Sequence, residues 1–144
     1  MKKIAGLVVA LVAVFSLTAC GSSTKYDFTC TGKVDEYDMT VNGVVKDGKV
    51  TEIIAEQKTE ASSAEEAKQG VAMINGFGSM AAESGMTMTA KANGKNVTIT
   101  TTIDVAKAAA ASDDADDNSL GIDLSNATKD ALVKAFEKQG LTCK

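Results

Sequence analysis

The chain has 144 residues with 15 Lys, no Arg, 19 Asp or Glu and no His, for a formal charge of −4. One domain is expected at this length, and the missing His and Arg remove the commonest general base, the commonest transition-metal ligand and the bidentate anion clamp together. Six aromatics without Trp, and no basic run, argue against a stacking platform or a nucleic-acid surface. The composition therefore leads to a non-catalytic protein with no cofactor and no metal.

Met1, Lys2 and Lys3 form a short basic start, followed by an apolar run from Ile4 to Leu17 broken only by Gly6 and Ser16. This layout predicts a bacterial signal peptide over residues 1–19; a permanent spanning helix would need about 20 apolar residues. Leu17-Thr18-Ala19-Cys20 resembles the lipobox of bacterial lipoproteins, in which a peptidase cuts before the cysteine and the sulfur carries a diacylglycerol. The resemblance implies lipidation at Cys20; the alternative is an ordinary secreted protein cut after Ala19. Without residues 1–19, 13 Lys face 19 acids, a net charge of −6. Such a domain is repelled by anionic lipid, so acyl chains rather than charge must hold it at the membrane. Residues 20–25 are a polar tether that reaches at most roughly 20 Å, which keeps a folded domain over 26–144 close to the outer face of its membrane.

Past the tether, Tyr26, Phe28 and Cys30 alternate with polar residues, and the alternation resumes through Tyr37, Met39 and Val41 before changing phase at Asn42-Gly43. A period of two predicts strands, and the glycine at the phase change predicts a bulge. Asp47-Gly48 suits a type I′ hairpin turn into a returning strand over Val50 to Gln57. Ser62 with Glu65 and Ser63 with Glu66 offer overlapping capping boxes. The helix they open would bury Ala64, Ala67, Val71, Ile74 and Phe77, extending to Met80 or Ala81, with Gly85 as terminator. Alternation over residues 86–90 and 97–105, joined through Asn93-Gly94, predicts a further hairpin. From Lys107 to Ser119 the composition turns to Ala, Ser and Asp and predicts a loop. A second helix is expected over residues 126–139, with Gly140 as its stop and a short strand over 141–144. The order βββ-α-ββ-α-β predicts an α+β fold, an antiparallel sheet of five or six strands with two helices on one face.

With Cys20 consumed by lipid, Cys30 and Cys143 remain as a pair outside the reducing cytosol. Cys30 alternates with Phe28 and Cys143 with Leu141, so each thiol shares the apolar side of its strand. A disulfide between them is the expectation, with the last strand beside the first; two unconnected buried cysteines are the alternative.

The pattern as a whole resembles the YehR-like family of small bacterial lipoproteins. The resemblance rests on the lipobox cysteine, the segment from Val45 to Ile53, the helix start over residues 63–67, the alternating strand over 97–105 and the segment from Ala131 to Gly140. It implies an α+β envelope lipoprotein with no assigned activity. The Cys30 and Cys143 pair and the Ala- and Asp-rich stretch over 108–118 stand outside that resemblance.

Few residues offer chemistry. Asp113, Asp114, Asp116, Asp117 and Asn118 supply oxygens, but a calcium-loop frame from Asp114 puts Ser119 where Gly belongs and Ser125 where Glu belongs, so a solvated acidic loop is the reading. Ser22 and Lys25 match a Ser-x-x-Lys spacing on a tether that cannot exclude water. Gly76, Phe77, Gly78 and Ser79 lack the Lys of a phosphate loop. Thr98, Thr100 and Thr102 share one strand face, opposed by Thr87 and Thr89 across the hairpin, and form the candidate partner face; a plain water-facing side is the alternative. Two functions follow: a binding or accessory module that meets an envelope protein through a sheet face or edge, or a carrier whose Met73, Met80, Met86 and Met88 line a pocket between helix and sheet. A domain this small favours the first. Replacing Cys20 with Ala should leave uncut precursor that no longer partitions into detergent; normal maturation of that variant would refute the lipid anchor.

Overall fold

The alternating segments form strands of one antiparallel sheet. The computed structural model describes residues 25–111, 124 and 127–144. Residues 1–19, the lipobox Cys20 and the acidic residues 113–118 lie outside the described residues. The elements run β1 (Phe28–Val34), β2 (Tyr37–Lys46), β3 (Lys49–Glu60), α1 (Ala64–Gly78), a 3₁₀ turn (Met80–Ser84), β4 (Met86–Asn93), β5 (Asn96–Asp104), α2 (Val105–Ala111), α3 (Lys129–Lys138) and β6 (Thr142–Cys143). The sheet order is β4-β5-β3-β2-β1-β6, with every pairing antiparallel. The fold is α+β, as expected.

One face of the sheet carries the core. Phe28, Cys30, Val41, Ile53 and Ile103 pack with Leu132 and Phe136 of α3, while Ala90 and Val97 pack with Ala67 of α1. α3 lies over β1 and α1 over β4, while α2 packs against β3 and β5.

Two positions explain how the sheet closes under α3. Gly43 pairs with Phe28, and a Cβ at Gly43 would fall inside the Phe28 ring, so the glycine makes room for the aromatic of the neighbouring strand. The bulge expected at Asn42-Gly43 lies instead between Val44 and Val45. That irregularity leaves the Val45 N–H to a side chain, and it donates to Asp27 Oδ2 at 2.6 Å. On the opposite face Thr29 donates to Asn42 Oδ1 at 2.8 Å, which satisfies the side-chain oxygen of buried Asn42.

Cys30 and Cys143 are joined by a disulfide across 113 residues of sequence. Thr29 and Lys144 exchange both backbone hydrogen bonds, at 2.9 and 3.1 Å. The next pair along the ladder, Cys30 and Cys143, is therefore a non-hydrogen-bonded pair, the one in which opposed side chains come closest. In the chain-entropy model a loop of this length contributes about 4–5 kcal/mol.

The turns follow their chemistry with two departures. Asp47 (φ 51°) and Gly48 (φ 78°) form the expected tight turn. Asn93 pairs with Asn96, so the second hairpin turns on Gly94-Lys95, with positive φ at Gly94 alone, a II′ pattern rather than one through Asn93-Gly94. Asp35 (φ 48°) and Glu36 (φ 72°) join β1 to β2 in left-handed conformations, which Asp tolerates and Glu does not favour.

The helices bring three further corrections. Phe77 and Met80, expected in the buried stripe, are exposed, and Gly78 faces the sheet in their place. The stretch expected as a loop from Lys107 begins instead as α2, whose Val105 and Ala108 are buried; its alanines favour helix, and the preceding strand delivers Val105 into the core. α3 starts at Lys129, later than expected, because Thr128 is its N-cap and accepts from the Ala131 N–H at 3.3 Å. At the start of α1, Ser63 caps by accepting the Glu66 N–H, whereas the Glu66 carboxylate accepts from the hydroxyl and N–H of Ser62, one residue before the cap. Those two donors hold the Glu66 carboxyl below its ordinary range. Gly43→Ala should lower the unfolding free energy by about 1–3 kcal/mol through collision with Phe28; in urea melts, a Phe28→Leu background should reduce that loss, and equal losses in both backgrounds would deny the contact.

Candidate functional site

Among the described residues, no helix lies on the second face of the sheet. Its side chains form three transverse rows. Thr29, Asn42, Ile54, Thr102 and Thr87 are successive partners in the first. Thr142, Thr31, Thr40, Glu56, Thr100 and Thr89 make the second. Lys33, Asp38, Lys58, Thr98 and Lys91 make the third. The candidate residues Thr98, Thr100 and Thr102 thus stand in one column on β5, next to the edge strand, with β3 on one side and β4 on the other. All three are half-buried by these neighbours.

The rows differ in character. The middle row presents five hydroxyls around one carboxylate, a surface that can both donate and accept hydrogen bonds at every strand. The third row alternates charge, and Lys33 and Asp38 sit 3.8 Å apart with both side chains exposed; an ion pair so exposed adds little to stability. β-Branched threonines hold few rotamers on a pleated surface, so this face loses little entropy when a partner covers it. The sequence shows the Thr98, Thr100 and Thr102 column and its Thr87 and Thr89 flank. The extension of the middle row through Thr40, Thr31 and Thr142 needs the strand order, which no local pattern encodes.

The edges of the sheet are occupied. On β4, Ala90 turns its backbone polar groups away from β5, and the Asn75 side chain takes both: the Ala90 N–H donates to Oδ1 at 2.7 Å, and Nδ2 donates to the Ala90 carbonyl at 3.2 Å. Gly78 seats α1 against the Met88 carbonyl, which a Cβ there would overlap. At the far edge, β6 with Lys144 covers β1 at Thr29, Cys30 and Thr31. Strand addition, one of the two contact modes expected from the sequence, thus meets a side-chain clamp at β4 and a crosslinked strand at β1. Asn75 could have been suspected only as a polar residue amid an apolar helical pattern.

The four methionines do not gather. Met73 and Met80 face solvent, while Met86 packs against the core cluster on the sheet. Of the four, Met88 alone reaches the open groove of about 590 Å³ that Asn75, Gly78, Ser79 and Ala82 line beside β4. The expected methionine-lined pocket between helix and sheet is therefore corrected: α1 meets the sheet through Ala67 and Gly78, which are too small to hold it away. Among the described residues no three His, Cys, Asp or Glu side chains converge as metal ligands, and no helix is long and apolar enough to cross a membrane.

No protein-family model, curated protein or solved structure matches this chain. The geometry is therefore the basis for any reading of function. Asn75→Leu removes both partners of buried Ala90 and should cost about 1–3 kcal/mol. It should also raise concentration-dependent association, followed by light scattering, as the β4 edge becomes available; unchanged stability and unchanged association would show that the clamp is idle.

Proposed function

We propose that this chain is a lipid-anchored bacterial envelope protein, a non-catalytic binding or accessory module that meets an envelope protein partner through the open threonine face of its sheet. The observation that carries the reading is the asymmetry of the sheet: one face is filled by α1, α2 and α3, both edges are engaged, and the other face offers five hydroxyls and one carboxylate in register across six strands. A partner that lays a polar surface on this face would exchange water for hydrogen bonds with little reordering of side chains.

The lipobox ending at Cys20, the polar tether and the resemblance to YehR-like lipoproteins support the envelope location. The disulfide between Cys30 and Cys143 accords with an oxidising compartment. The lack of His and Arg in the whole sequence supports a role in contact rather than catalysis. The chain acts as a monomer or weakly associating species, with no cofactor, metal or nucleic acid.

The test replaces Thr98, Thr100 and Thr102 with Lys in the full-length chain. Three cations on one column should abolish cross-linking to the envelope partner while the circular dichroism spectrum and membrane fractionation persist. Unchanged cross-linking would remove this face from consideration. Hydrolytic turnover that depended on any single carboxylate would overturn the non-enzymatic reading.

A further inference from the structure

α1 carries apolar residues on two sides, about 120° apart around the helix axis. Its inner side, with Ala67, Val71, Ile74 and Gly78, meets β4 and β5. Its outer side places Met73, Phe77 and Met80, the last just past the C-cap in the 3₁₀ turn, at 64%, 65% and 76% exposure. Steps of four and three residues stack the three side chains in one stripe, roughly 10 Å long. The 14 residues from Gln69 to Ala82 contain no charge, in a chain that is 24% charged. A surface helix ordinarily places Lys or Glu on this side.

The position of the stripe decides what covers it. The chain enters the fold at Lys25, and Phe28 lies in a transverse row with Gly43, Ile53, Ile103 and Met86. α1 begins at the other end of the sheet, where the Ala61 N–H donates to the Lys95 carbonyl. It then descends to Gly78 beside Met88 and to the 3₁₀ turn that leads into Met86. Phe77 and Met80 therefore sit at the end of the sheet where the chain enters. Four strand spacings separate β1 from β4, roughly 19 Å, and five peptide steps from Cys20 to Lys25 reach at most roughly 18 Å. A lipid on Cys20 holds this end of the domain within a tether's length of the bilayer.

We infer that the outer side of α1 is a membrane-contact surface, with Met73, Phe77 and Met80 entering the interfacial region of the bilayer in which the Cys20 lipid is embedded. This inference rests on the lipid-anchor reading above. An acidic domain gains nothing from Coulomb attraction to anionic lipid, so the contact is apolar, and the uncharged run leaves no carboxylate to be desolvated or repelled there. The orientation has a consequence for the threonine face. α1 lies on the covered side of the sheet and its stripe stands on the flank of the helix, so seating that stripe on lipid leaves the open face clear of the membrane and accessible to a partner.

The chain contains no Trp, so single Trp reporters read the contact directly. The full-length lipidated chain, as Phe77→Trp, Met73→Trp or Thr100→Trp, is reconstituted in phosphatidylethanolamine and phosphatidylglycerol vesicles with and without brominated acyl chains. The two α1 reporters should be quenched at least roughly threefold more than Thr100→Trp, with little dependence on salt. Protein that floats with the vesicles while its α1 reporters stay unquenched would overturn the contact and leave the anchor standing. Protein that neither floats nor carries the lipid by mass spectrometry would overturn both. α1 reporters shielded from lipid in a species of doubled mass would assign the stripe to contact between copies and overturn the bilayer reading. Both reporter positions on α1 are exposed, so the substitutions do not disturb the core.

Discussion

A six-stranded sheet has two faces, and the apolar residues of this chain can cover only one of them with helix. The strand alternation commits Phe28, Val41, Ile53, Ile103, Ala90 and Val97 to a single side, and a one-residue slip in any strand would send that strand's apolar set into water. α1, α2 and α3 divide the committed side among them. The opposite side must then be stable while wet, a demand that threonine meets through its methyl group, its hydroxyl and its restricted χ1. Much of what the molecule can do follows from that division, because the covered side is spent on folding.

The same constraint governs the edges. A sheet that is wet on one face and ends in bare strands would pair with its neighbours. β4 is shielded by a side chain that imitates a strand, Asn75 on Ala90, and by a helix brought close through Gly78. β1 is shielded by two residues that could not remain paired by backbone bonds alone, and the disulfide fixes them there. Small residues and one amide thus do what a longer protein would do with extra strands.

How much of this could be read from the sequence depends on the range of the determinant. Period-two alternation and the Asp47-Gly48 turn are local, and the hairpin of β2 and β3 formed as expected. The disulfide was legible because parity and strand phase agree on the same two residues. Asp35-Glu36 was not, since Glu36 does not advertise a left-handed turn and the hairpin register imposes it. Phe77 was placed inside because helical spacing identifies a stripe without saying which of two stripes faces the sheet; Gly78, having no side chain, gives hydropathy no signal although it makes the closest approach. The bulge was off by two residues for a related reason: Gly43 marks an aromatic neighbour rather than an extra residue. The threonine column was visible on β5, but its extension across the sheet depends on strand order.

The disulfide also sets how the domain bears mechanical load. A pull on the N-terminal end at Lys25 enters β1, which is held to β2 by a ladder that could open one bond at a time. The peel can proceed only to Cys30, five residues in, where the covalent link to Cys143 passes the tension to β6 and, through the short connection at Gly140, to α3. From that point the segment between the two cysteines is a closed loop that the pull cannot lengthen. A protein loaded from this end would keep its helices, its edge clamp and its threonine face in register under tension that would unzip an uncrosslinked sheet.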